Sequence, residues 1–229
     1  ILYLLGYHQS VATGVGFIIL DEAGHNGIIL DMAANKLMDA AFVDGLEAQI
    51  AGSAVIMTVL EIPSVAAVRA MELGRKHGVR TILNPAPATH LPSSALANVD
   101  YLTPNETELR ILMGLPPDDP TPSATLARDL HSRGVRNLIV TMGAEGCLLL
   151  NEDGLRTVPG VAVDVVDTTG AGDAFNAGLA LALSSGRSLD NAVRFANCAG
   201  ALACTRLGVI PALSRRDAVD ALYAQTYHG

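Results

Sequence analysis

The stretch DTTGAGDAFNAG (167–178) follows the apolar run VAVDVV and sets one carboxylate, Asp173, just past a turn of small residues. Backbone N–H groups of Gly170, Ala171 and Gly172 can converge there on an anion, since small residues leave room and permit unusual dihedrals. A helix starting at the turn adds its positive end, which suits phosphate. In that setting Asp173 is placed to take a proton from a hydroxyl that attacks the phosphate. The plainer reading is a helix cap, because Asp is a preferred N-terminal residue.

Three more polar groups fall where apolar runs stop. Glu61 follows VIMTVL. Asn105 and Glu108 stand in TPNETE (103–108), and supply the oxygen donors that magnesium prefers. Thr141, Gly143, Ala144, Glu145 and Gly146 form the turn TMGAEG, open enough to admit a nucleotide beside backbone. Singly, these read as a solvated strand end, a capped helix start and an ordinary turn. Together they describe one edge of one sheet.

The elements needed to build that edge are legible. TGVGFIIL, DEAGHN and GIIL suggest a hairpin with a five- or six-residue loop. Strands follow at 54–60, 81–87, 99–105 and 137–143. Between them lie helices at 63–78, from about Glu106, and at 123–134, the first bounded by proline and glycine. CLLLNEDGLRTVPG reads as a hairpin, and VAVDVV as a strand before the turn. Helices at 171–184, 189–206 and 214–226 close the chain, and PPDDPTPS (116–123) is a rigid surface loop. Such alternation implies a mostly parallel sheet covered on both faces, a three-layer α/β/α sandwich of Rossmann-like type. Ligands in such folds sit at the carboxyl ends of the strands.

Bulk properties narrow the chemistry. The 229 residues are long enough for one large domain, 50% are hydrophobic and only 4% aromatic, as expected where small residues pack helices closely on a sheet. A net charge of -8 argues against a general nucleic-acid partner. Cys147, Cys198 and Cys204 lack metal-like spacing and read as reduced core thiols of a cytoplasmic protein. The six histidines form no paired cluster, no apolar run is long enough to span a membrane, and ILYLLGYHQS lacks a signal-peptide pattern. No GxxxxGK[ST] occurs, which excludes a P-loop. A dinucleotide fingerprint is weak, because Phe175 occupies its third small position and Asp190 sits in GRSLDNAV at the start of a helix.

DTTGAGDAFNAG resembles the second signature of the PfkB-type carbohydrate kinases. NPAP (84–87), TPNETE and TMGAEG resemble, in the same order, the corresponding segments of the family's ribokinase branch, as does VLE at 59–61. The resemblance runs from TGVGFI to near the end of the chain and implies a ribokinase-like fold. It implies Asp173 as the base, with Gly170, Ala171 and Gly172 as the anion hole. Asn105 becomes a nucleotide-phosphate contact, and Glu108 an organiser of Mg2+. Thr141, Gly143, Ala144, Glu145, Gly146 and Asn197 surround the nucleotide, and Glu61 contacts a sugar hydroxyl. A monovalent cation, K+, is implied beside Asp167 and the carbonyls of Thr169, Ala203, Arg206 and Gly208. Ala212 departs from the pattern, since a serine usually faces that cation.

The family begins with about eighty further residues, holding a GGKGAN-like sugar loop, an early sugar-binding aspartate and part of a lid. MAAN (32–35) is not that loop. Residues 1–229 are therefore expected to form a single ribokinase-like domain without the N-terminal segment, with 1–35 partly a lid-type β hairpin. The expected partners are ATP and a small sugar, with D-ribose favoured, and the lid suggests a homodimer. The rival readings are a kinase for another sugar or a nucleoside, a nucleotide-binding homologue without catalysis, and a nicotinamide-dependent dehydrogenase.

Overall fold

The computed structural model describes residues 9–20 and 26–227. An antiparallel ribbon comes first, β1 (Val15–Leu20) on β2 (Asn26–Asp31), with Val15 opposite Asp31 and Phe17 opposite Ile29. The turn expected between them, 21–25, lies outside the described residues, as do residues 1–8. The ribbon exposes apolar side chains along its length, with Phe17 and Ile29 each 59% exposed.

A 3-10 turn at Ala33–Leu37 leads to the short helices α1 (Ala40–Asp44) and α2 (Glu47–Ala51). Asp39 caps α1, its carboxylate accepting from the Phe42 N–H at 2.8 Å. Then the alternation begins: β3 (Val55–Thr58), α3 (Ser64–Lys76), β4 (Arg80–Leu83), α4 (Ser93–Leu96), β5 (Tyr101–Leu102), α5 (Glu106–Leu112), α6 (Ser123–Ser132) and β6 (Asn137–Thr141). The strands β7 (Gly146–Asn151) and β8 (Gly154–Pro159) make the expected hairpin. Four helices finish the described chain: α7 (Ala171–Ser184), α8 (Leu189–Ala203), α9 (Val209–Ala212) and α10 (Arg216–Tyr227).

The six strands β3 to β8 lie in one sheet in chain order, parallel from β3 to β6 and antiparallel beyond. The strict two-residue period of the strands divides the core. Leu83, Leu102, Leu138, Val140 and Leu150 face a layer that includes Ala66, Ala67 and Met71 of α3 and Leu126 and Leu130 of α6. Ile82, Ile139, Cys147 and Leu149 face the opposite layer, with Phe175 and Leu179 of α7, Phe195 of α8 and Tyr223 of α10. The result is the expected three-layer sandwich.

The short helices α1, α2, α4 and α9 are absent from the sequence reading, the strand expected at 99–105 is only Tyr101–Leu102, and two further segments depart from that reading. VAVDVV is not a strand: residues 160–166 run irregularly from β8 to the turn, with Val165 and Val166 61% and 60% exposed. An apolar run needs a neighbouring strand to become one, and this segment instead hangs from the end of α8, the Val166 and Asp167 N–H groups donating to the Cys204 carbonyl at 2.8 and 3.2 Å. For the same reason α8 stops at Ala203 rather than 206. Its terminal carbonyl is taken by the incoming chain, and Gly208 (φ 85°) turns away in a conformation that favours glycine.

Candidate active site

Since β3 to β6 are parallel, the segments that follow them all emerge at the same edge of the sheet. Glu61 lies past β3 in a half-buried loop, anchored by the Leu60 N–H donating to the Ala86 carbonyl at 2.9 Å. Asn105 and Glu108 open α5. Thr141 ends β6 and bridges to Asn105, its N–H donating to the Pro104 carbonyl at 2.9 Å.

TPNETE is a capping box, so its structural role is real. Asn105 Oδ1 accepts from the Glu108 N–H and Glu108 Oε2 from the Asn105 N–H, each at 2.8 Å. One oxygen of Glu108 is thereby used, while Oε1 has no protein partner among the described residues. Burial raises this carboxyl above the usual range, only partly offset by the Asn105 N–H. A half-buried carboxylate with one spare oxygen fits a magnesium-organising role.

TMGAEG folds as a 3-10 turn, Gly143–Glu145, closed by the Met142 N–H donating to the Gly146 carbonyl at 2.8 Å. Gly143, Ala144 and Glu145 are exposed. Gly146 has φ 92°, and a Cβ there would overlap the Val158 carbonyl, so no other residue fits. Asn197 is turned to the protein interior. It is only 8% exposed, and its Nδ2 donates to the Pro159 carbonyl at 3.0 Å, with a longer contact to Val158 and the Cys147 thiol near its Oδ1. Its amide ties α8 to β8. Burial also pushes the Cys147 thiol up to about 12, and the three cysteines are free, as a reduced core requires.

Gly170 precedes α7 with φ 79°, the left-handed region, and a Cβ on it would stand 2.8 Å from Val209 Cγ1. Gly172 has open space where a side chain would be. Gly172 thus leaves one side of the helix start uncovered, while the Ala171 N–H donates to the Thr168 carbonyl at 3.2 Å and Gly170 packs on Val209. Asp173 sits in the first turn of α7, exposed, and its carboxylate has no hydrogen-bond or ion-pair partner among the described residues. Desolvation raises its carboxyl. That describes an available acid–base group rather than a cap, because a capping carboxylate would be engaged by backbone N–H groups.

Helix α7 itself has no side-chain cap, and Asp167 is the engaged carboxylate of the turn, bonded to loop N–H groups. Its Oδ2 accepts from the Gly208 N–H at 3.0 Å and its Oδ1 from the Thr169 N–H at 2.9 Å, and these bonds, Gly208 first, hold its carboxyl below the ordinary value. Asp167, Thr169 and Gly208 are therefore brought together. Ala203 ends α8 beside them, Arg206 is exposed in the linking loop, and Ala212 is buried at 1% exposure.

Residues that the sequence reading passed over join this turn to the sheet. Thr103 Oγ1 donates to Asn176 Oδ1 at 2.7 Å, and Asn176 Nδ2 donates to the Gly172 carbonyl at 2.9 Å. Thr103 belongs to TPNETE and Asn176 to DTTGAGDAFNAG; a polar residue at a helix-face position due for burial was the available signal.

A mostly parallel α/β sandwich with the unpaired Asp173 and the half-buried Glu108 beyond its strand ends belongs to the class of α/β folds that bind ligands at that edge. The comparisons with known proteins narrow this class. The pattern described as pfkB family carbohydrate kinase matches residues 6–216, and the chain belongs to that family. A ribokinase of Haemophilus influenzae (strain ATCC 51907 / DSM 11121 / KW20 / Rd) is 36% identical over 204 residues, covering 89% of this chain and 67% of the relative. A deoxyribokinase of Salmonella typhi is 38% identical over 165 residues, 72% of this chain and 54% of that protein. The structure of an Arabidopsis thaliana ribokinase complexed with ribose and ATP superposes with a TM-score of 0.84 at 31% identity, covering 93% of this chain and 70% of the other. The chain thus spans between 54% and 70% of the length of these relatives.

Proposed function

We propose that the protein transfers the γ-phosphoryl group of ATP to a sugar hydroxyl, D-ribose to D-ribose 5-phosphate being the favoured case. The observation that carries this reading is Asp173: an unpaired carboxylate, raised by desolvation, in the first turn of a helix that opens on Gly170 and Gly172. The sugar hydroxyl attacks in line while Asp173 accepts its proton. The N–H groups of Gly170, Ala171 and Gly172 meet charge developing on the phosphoryl oxygens. Asn105 and the 141–146 turn border the nucleotide, and Glu61 contacts the sugar. Asn197 supports the nucleotide side by holding α8 on β8.

Magnesium would be held through Glu108 and intervening waters and would supply charge neutralisation at the terminal phosphates. Potassium would be held by Asp167 and the carbonyls of Thr169, Ala203, Arg206 and Gly208, without a serine at 212. We further propose that residues 1–229 act as one ribokinase-like domain in the cytoplasm, and that the apolar β1–β2 ribbon is the lid surface on which two copies pair. No described helix is long and apolar enough to cross a membrane.

ADP release from ATP–Mg2+ across a panel of ribose, deoxyribose, fructose, ketodeoxy sugar acids and nucleosides tests the reading, with potassium present and absent. Turnover highest on ribose is expected. A second sugar in that place would move the substrate assignment, and turnover on none of them would refute phosphotransfer by this chain.

A further inference from the structure

We propose that Thr103 and Asn176 form a positioning pair that fixes the first turn of α7, and with it Asp173 and the anion turn, against the end of the sheet. The inference rests on the phosphotransfer reading for its purpose, but not for its geometry.

Every atom of the link has one possible assignment. The Gly172 carbonyl only accepts, so the Asn176 group facing it at 2.9 Å is the NH2. That leaves the Asn176 oxygen facing Thr103 at 2.7 Å, and the Thr103 hydroxyl must donate. Thr103 is itself built onto the sheet, its N–H donating to the Leu83 carbonyl at 3.0 Å just beyond the last β4–β5 pair. One continuous path therefore runs from β4 through Thr103 and Asn176 to the peptide that joins Gly172 to Asp173.

Packing holds this turn on its other sides, Gly170 against Val209 and Ala171 against Gly200 of α8. Gly172 carries no side chain and the Asp173 carboxylate binds no protein group among the described residues, so the Thr103–Asn176 link supplies a hydrogen-bonded tie from the sheet to this turn. Asn176 lies a helical turn further on and reaches back to it. Both members of the pair are sealed, at 2% and 3% exposure, in a site where two apolar side chains would cost less to bury. A buried polar link gives orientation in exchange, because each bond is satisfied only in one arrangement. Displacing a catalytic base by a fraction of an ångström slows transfer without weakening substrate binding, which is the signature expected of a positioning residue.

Thr103→Val keeps the volume and removes the donor, whereas Thr103→Ser keeps the donor. In the full chain, Thr103→Val is expected to speed hydrogen exchange at the Ala174 amide, which donates to the Gly170 carbonyl at 3.0 Å. About a tenfold increase is expected there, with α8 amides little changed, as for loss of one buried hydrogen bond. In the ATP–ribose assay kcat should fall about tenfold with KM nearly constant. Thr103→Ser should return both readouts toward the parent. If Thr103→Val fails to fold, Thr103→Cys, a weaker donor of similar volume, makes the same comparison. Unchanged exchange at Ala174, or a loss that serine does not rescue, would overturn the pair's role. Absent turnover in the parent would refute phosphotransfer alone, and the exchange arm would still decide whether the pair holds the turn.

Discussion

Gly170→Ala tests the turn at its most constrained point. The residue has φ 79°, and a left-handed backbone costs a residue with a Cβ about 1–2 kcal/mol. The added methyl would also lie 2.8 Å from Val209 Cγ1. Carbon atoms rest about 3.5–4.0 Å apart, so Val209 must yield by most of an ångström. Val209 is only half-buried and belongs to the four-residue α9, so this yielding falls at the low end of overpacking penalties, about 1 kcal/mol. Alanine narrows the unfolded ensemble, which offsets part of both terms. The net loss is about 2 kcal/mol, or a melting temperature lower by about 4–8 °C for a chain of this size. Denaturant titration with two probes measures it. Gly170→Ala with Val209→Ala should recover the overlap but not the dihedral cost. Gly172→Ala is the internal control: its Cβ meets nothing within 4 Å, so the helix should gain up to about 1 kcal/mol while turnover falls, because the methyl occupies the anion face. A Gly170→Ala protein as stable as the parent would refute the left-handed turn pressed against Val209, and with it the shape assigned to the anion hole.

Asp173→Asn should lower turnover about a hundredfold or more while nucleotide affinity, read by calorimetry, is kept. Because desolvation raises the native carboxyl, ionising Asp173 opposes folding; stability falls as pH rises from the unfolded value through the native one, and the asparagine variant should lose that decline. Glu108→Gln preserves an acceptor for the Asn105 N–H, so α5 should remain capped and the melting temperature hold, while the magnesium needed for half-maximal turnover rises. An unchanged magnesium titration would remove Glu108 from that role. Asp167 carries the opposite linkage: its depressed carboxyl stabilises the fold above the unfolded value near about pH 4 and loses that contribution as pH falls through the native one. Asp167→Asn should flatten this part of the acid-stability curve, and an identical curve would show that the bonds to Thr169 and Gly208 do not act as drawn.

The sheet was legible wherever local pattern and tertiary context agreed. Runs such as NLIVTMG and TILNPAP stop at polar residues because the strands end there, and the helix between Pro63 and Gly78 carries its own boundary residues. VAVDVV misled because periodicity reports apolar content and not whether a partner strand exists. The short helices α1 and α2 left little trace, since five residues cannot establish a face, and α1 depends on one cap from Asp39. Within the site, the motif residues announced themselves by type. Asn197 did so too, but its side chain is committed to Pro159, a fact held in the packing of α8 on β8 and not in any spacing. Thr103 and Asn176 stayed hidden because 73 residues separate partners that one hydrogen bond joins.

The arrangement also explains why one carboxylate of the turn is engaged and the other is free. Helices α7 and α8 form a tight antiparallel pair: a Cβ on Gly178 would lie 2.9 Å from Ala199 Cβ, and one on Gly200 3.2 Å from the Ala171 carbonyl. Close packing of this kind places the amino end of α7 beside the carboxyl end of α8, so unused N–H donors and unused carbonyls meet at one spot. Asp167 and the Cys204 carbonyl satisfy donors of the connecting loops, which locks the loops together. The Ala171 N–H is used within the turn, on the Thr168 carbonyl, and Gly172 leaves the outer side of the helix start uncovered beside Asp173. On the proposed phosphotransfer reading, two aspartates six residues apart in the chain divide the work: Asp167 secures the loops, and Asp173 stays free to take a proton.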